Sequence, residues 1–94
     1  MTLRDAIRDL ESFRASDTLF VTAGQPLNAD ISTVVAEIAE DDSIPAEATG
    51  HRIFLDVWHV RDILDGKAHL AGLDDDPTLD QKLTFLLQYA TNDA

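Results

Sequence analysis

The segment Arg52-Ile53-Phe54-Leu55-Asp56-Val57 constrains this chain more than any other. Its apolar run is nearly continuous, and such a strand reads as covered on both faces, at the centre of a sheet. At Val57 the period changes. Val57, Val60, Ile63 and Leu64 recur at helical spacing, with Asp56 placed to cap the helix and Gly66 to stop it. The chain thus passes from strand to helix with no loop between them. Any fold must supply a sheet and an adjoining helix at this point.

The flanking segments fill in the rest. Thr2 followed by Asp5 is a helix-start signal. Leu3, Ile7, Leu10 and Phe13 then share one face of a helix over about residues 3–14. Ala15-Ser16-Asp17 breaks it. Thr18-Leu19-Phe20-Val21-Thr22 is β-branched and aromatic, as strands are. Ala23-Gly24-Gln25-Pro26-Leu27-Asn28 carries turn chemistry. Residues 31–38 fit both periods: Ile31, Val34, Val35 and Ile38 are spaced as on a helix with Asp30 as its cap, while Ser32, Val34, Ala36 and Ile38 alternate as on a strand. Residues 40–50 form a polar loop. Near the end, Asp76-Pro77 opens a helix, Thr78 with Gln81 makes a capping box, and Leu79, Leu83, Leu86, Leu87 and Ala90 form its apolar stripe. Strands followed by helices predict a single α+β domain over residues 1–94: a small antiparallel sheet of about three strands with helices packed on one face.

Charge bears on partners. The formal net charge is −11 on 94 residues. No Lys or Arg occurs from Ala15 to Gly50, where Asp17, Asp30, Glu37, Glu40, Asp41, Asp42 and Glu47 all lie. Asp74-Asp75-Asp76 is a second acidic run. Such a field governs solubility and association rate, and it argues against nucleic acid and for a basic partner. It would also be repelled by anionic lipid. No apolar run approaches the ~20 residues of a membrane span. The charged opening Met1-Thr2-Leu3-Arg4-Asp5 lacks the apolar core of a secretion signal. The expectation is a soluble cytoplasmic protein. Without cysteine, disulfides and zinc–thiolate sites are excluded. The competing reading of the charge is adaptation to a salt-rich host.

Motifs for chemistry are sparse. His51, His59 and His69 lack the i, i+4 spacing that sets two ligands on one helix face, so each reads as a surface or locally bonded residue. Asp74-Asp75-Asp76 lacks the spaced ligands, glycine and closing glutamate of a calcium loop, and reads as an acidic helix start. Asp56, embedded in an apolar strand, could be a perturbed acid, but capping the next helix explains it better. No serine sits in a nucleophile elbow, and no glycine-rich phosphate loop is present. Trp58 reads as core or core-edge rather than as a binding hot spot. The chain is expected to be no enzyme and to need no cofactor or metal.

The stretch Ile53-Phe54-Leu55-Asp56-Val57-Trp58-His59-Val60-Arg61-Asp62-Ile63-Leu64 resembles a strand-to-helix passage in a family of small acidic bacterial proteins with no assigned biochemical function. The likeness extends to the opening helix (Leu3, Ile7, Leu10), Leu19-Phe20-Val21, Glu40-Asp41-Asp42 before Pro45, and the terminal 86–94 segment. It implies a strand at residues 32–38. The chain departs from that family at Leu27, where a tryptophan is common. By size and charge, the chain is also similar to immunity proteins of bacterial toxin systems, contact-dependent inhibition included.

The expected function is therefore inhibition by binding. As an immunity protein, the chain would neutralise a basic, nuclease-type toxin, with Glu40, Asp41, Asp42 and Glu47 as one contact cluster and Asp74, Asp75 and Asp76 as a second. The alternatives are a generic interaction module and a phage-type nucleic-acid mimic that blocks a restriction or CRISPR complex. A small sheet with an open edge allows a monomer or a strand-paired homodimer.

Overall fold

The structure, a computed structural model, describes residues 1–38, 44–67 and 78–93. The elements are α1 (Leu3–Arg8), β1 (Asp17–Thr22), β2 (Thr33–Glu37), β3 (His51–Asp56), α2 (Val57–Asp62) and α3 (Leu79–Asp93). Short 3-10 turns lie at Leu10–Ser12 and Ala46–Ala48, and one π turn, Ile63–Lys67, extends α2. The sheet is antiparallel with order β2-β1-β3. The expected α+β architecture is present, and residues 31–38 do contain a strand.

Alternation along β1 divides the two faces. Leu19 and Val21 point into the main core with Leu3, Ile7 and Leu10, with Val57, Val60 and Ile63, and with Leu83 and Leu86. The helices therefore share one face of the sheet. Phe20 points the other way, into a small cluster with Ala36 and Ala48. Among the described residues, no helix is long and apolar enough to cross a membrane.

β3 is an edge strand, contrary to the expectation from its apolar run, and β1, of the same length, holds the centre. The reason is a bulge. Leu19 opposes Leu55 but Phe20 opposes Ile53, which leaves Phe54 as the extra residue. Phe54 and Leu55 consequently both pack on the helix side. The continuous run thus encodes a break in alternation rather than burial of both faces, and Ile53 remains 47% exposed. Bulge and exposed Arg52 together discourage further pairing at this edge. The β2 edge is covered at its start by the chain's own N-terminus, where Thr33 N donates to the Met1 carbonyl at 2.7 Å.

Helix ends follow the local chemistry. At α1, Leu3 N and Arg4 N donate to the carbonyls of Ile31 and Ala29, while Asp5 N donates to Thr2 Oγ1. The first-turn donors are thereby satisfied. Thr2 and Asp5 form a complete capping box. α1 stops at Arg8, short of the expected residue 14. Ser12 N and Ser12 Oγ both donate to the Asp9 carbonyl, which tightens the chain into a 3-10 turn. α2 likewise does not stop at Gly66 but continues in π form to Lys67. α3 opens on the expected box, with Thr78 N donating to Gln81 Oε1 at 2.8 Å and Gln81 N to Thr78 Oγ1 at 3.2 Å. It begins at Leu79; Asp76 and Pro77, expected to open it, lie outside the described residues.

Candidate functional site

The sheet gathers carboxylates at one end. β1 begins at Asp17, β2 ends at Glu37 and β3 ends at Asp56. Antiparallel pairing sets Asp17 opposite Glu37 and Thr18 opposite Asp56. Asp17 Oδ2 accepts from Arg14 N at 3.0 Å, which closes the turn that leads into β1. Asp56 occupies the cap position of α2, yet its side chain makes no cap bond. It accepts instead from Thr18 Oγ1 at 2.7 Å. The expected capping role is therefore corrected: a cross-strand hydroxyl, itself 1% exposed, claims the carboxylate.

Arg4, Arg8 and Arg61 are engaged elsewhere. Arg4 reaches Asp80 at 2.6 Å and Asp30 at 3.9 Å. Arg8 pairs with Asp5 at 3.3 Å and with Asp9 at 3.2 Å. Hydrogen bonds from Thr2, its backbone N–H first, hold the Asp5 carboxyl below its ordinary value. The Asp9 carboxylate, by hydrogen bond and charge, raises Arg8. Arg61 donates to two carbonyls, Leu10 O at 3.1 Å and Phe13 O at 2.6 Å, and so closes the end of the first 3-10 turn. Among the described residues, the ion pairs thus cluster around α1, and none reaches Asp17, Glu37 or Asp56.

Of the residues expected to bind a partner, Glu47 is described: it lies exposed in the 3-10 turn Ala46–Ala48. Glu40, Asp41, Asp42, Asp74, Asp75 and Asp76 lie outside the described residues, as does His69. Asp17 and Glu37 belong to the cation-free stretch of sequence, but only strand register shows that they meet.

Trp58 corrects a further expectation. It is 54% exposed rather than core. Val57, Val60 and Ile63 turn fully inward and fix the rotation of α2, so residue 58 faces out. Its backbone N–H donates to the Ala15 carbonyl at 3.3 Å, two residues before Asp17, which places it at the acidic end of the sheet. The indole stacks on His59 with centroids 5.2 Å apart, and His59 meets Tyr89 edge-on at 6.2 Å. His51 Nδ1 lies 3.2 Å from the Thr49 carbonyl. Among the described residues, no three His, Asp or Glu side chains converge as a metal site requires. An open groove along α3 is lined by Asp80, Gln81, Thr84, Phe85 and Gln88. Comparison of the chain with family models, curated proteins and solved structures yields no match.

Proposed function

We propose that this chain is an inhibitor that binds a basic protein partner, in the manner of a bacterial immunity protein that covers the active-site cleft of a nuclease-type toxin in the cytosol. The observation that supports it most is the acidic sheet end. Asp17 and Glu37 are directly opposed, Asp56 ends the next strand at the same end of the sheet, and no ion pair of the described residues neutralises the three. Like charges opposite one another on a sheet destabilise it. A surface that carries such a cost, with Arg4, Arg8 and Arg61 engaged elsewhere, suits a cationic counterpart. Glu40, Asp41 and Asp42 follow Glu37 closely in sequence and would extend the same field.

A nuclease cleft must be cationic to hold phosphates. Carboxylates entering it would occupy phosphate positions or neutralise catalytic Lys and Arg. Steering of this kind raises association toward ~10⁸ M⁻¹s⁻¹ at low salt. The chain then acts by occlusion and needs no reaction of its own.

The test is affinity purification with the tagged chain, followed by association kinetics with the recovered partner. A basic partner, with association slowed and its salt dependence flattened by Asp41→Asn/Asp42→Asn, is the expected result. Recovery of only neutral or acidic partners would end this reading, and unchanged kinetics in the double variant would remove that loop from the contact.

A further inference from the structure

The outward face of α2 carries three residues that the acidic-cluster argument alone does not reach: Trp58, Asp62 and Asp65. All three are exposed. Trp58 and Asp62 are i, i+4 neighbours, which sets their Cβ atoms about 6 Å apart, and Asp65 lies exposed in the π turn that extends the helix. We propose that this face is a docking surface for an arginine-bearing segment of the basic partner, an inference that rests on the basic-partner reading above.

Three features support that occupant. The first is charge: neither Asp62 nor Asp65 has an ion pair among the described residues, and Arg61, next to Asp62 in sequence, is turned onto the Leu10 and Phe13 carbonyls. The second is chemistry. An indole face attracts a cation, and a planar guanidinium can stack on it while donating paired hydrogen bonds to a carboxylate, which an ammonium cannot reproduce. The third is rigidity. Val57, Val60 and Ile63 are fully buried below the face, Arg61 pins the helix to the preceding turn, and His59 supports the indole from one side. Little backbone freedom is left to lose on binding, which favours affinity. The acidic sheet end supplies the wider field that brings the partner in, and Trp58 supplies the contact at its border.

Trp58 is the only tryptophan, so its emission reports on this face alone. The experiment titrates the intact chain at low ionic strength with a hexa-arginine peptide and with hexa-lysine, reading Trp58 emission and calorimetric affinity together. Hexa-arginine should change the emission and bind more tightly than hexa-lysine. Asp62→Asn/Asp65→Asn should weaken it about fivefold, as should Trp58→Leu by calorimetry. Glu11→Gln/Asp30→Asn removes the same charge elsewhere and should change the affinity less than about twofold. Circular dichroism confirms that each variant is folded. Binding with unchanged emission, equal weakening by the two charge-matched pairs, or hexa-lysine binding as tightly would overturn the docking face and leave the basic-partner reading standing. No binding of either peptide at low salt would overturn both.

Discussion

Asp17 and Glu37 stand directly opposite one another across the β1–β2 ladder, two carboxylates in one cross-strand pair. Asp17 is committed to its turn through the bond from Arg14 N, so Glu37 is the partner free to change. Glu37→Lys should stabilise the fold by about 0.2–1 kcal/mol, because it converts a repulsive pair into an attractive one. Urea denaturation at low ionic strength measures it. The gain should shrink as salt is added, since both groups are near the surface. A variant no more stable than the parent at any salt concentration would show that the two carboxylates diverge. The same substitution should slow association with a basic partner, which ties fold stability and function to one residue in opposite senses.

Thr18 and Asp56 form the neighbouring pair, and here polarity is satisfied rather than opposed. The Thr18 hydroxyl is buried and donates to Asp56 Oδ1 at 2.7 Å. Thr18→Val keeps the shape but removes the donor. The carboxylate loses a charge-assisted bond at a half-buried position, at a cost of about 1.5–3 kcal/mol. Asp56→Asn retains an acceptor and should cost less. A Thr18→Val variant as stable as the parent, read by thermal and chemical denaturation, would mean that the bond contributes nothing.

The acid limb of the stability curve should carry the signature of Asp5. Its folded carboxyl titrates below the ordinary value because Thr2 donates to it. A depressed folded value contributes stability that is present above the unfolded value of about 3.9 and is lost as the pH falls through the folded one. Asp5→Asn should therefore be less stable than the parent at pH 7, with the difference closing in strong acid. The effect is small, since the site faces solvent. Denaturation midpoints at the two ends of the range decide it, and a constant difference would assign the loss to the cap geometry instead of to charge.

Some local signals are readable where bonding partners lie within four residues, although the 3-10 turn at Leu10–Ser12 is not. The helix start at Thr2 and Asp5 and the capping box of Thr78 with Gln81 follow from spacing alone. The apolar faces that build the main core do as well, from Leu3 and Ile7 to Leu83 and Leu86. What escapes is set by register. Nothing local in Ile53-Phe54-Leu55 distinguishes a strand buried on both faces from a bulged edge strand, because the difference is which residue of β1 opposes each. The Asp56 side chain could serve the helix that follows it or a hydroxyl 38 residues earlier, and only pairing decides. Trp58 is adjacent to two inward valines' face yet one position off it, so a large apolar side chain ends outside. The candidate site is legible to the same degree: the cation-free stretch marks where acids lie, and strand pairing shows which of them meet.

Phe20 tests whether the face away from the helices is a packed layer. Its side chain is fully buried against Ala36 and Ala48, with Val34 and Ile38 at the margin. The cover is thin: the 3-10 turn Ala46–Ala48, held by Ala48 N donating to the Pro45 carbonyl at 2.9 Å and by Thr49 Oγ1 donating to the Ala46 carbonyl at 2.8 Å. Phe20→Ala should cost about 3–5 kcal/mol, a large share of the ~5–15 kcal/mol that holds a domain of this size together. Ala48→Leu alone should overpack the same space, at about 1–3 kcal/mol. In combination the added leucine refills the volume that the lost phenyl leaves. The double variant should be more stable than the sum of the single losses implies, by about 0.5–3 kcal/mol as residues in contact show. Strict additivity in denaturant titrations would mean that the turn does not pack on Phe20, and that Glu47, which the turn carries, is not held in a fixed place on the surface.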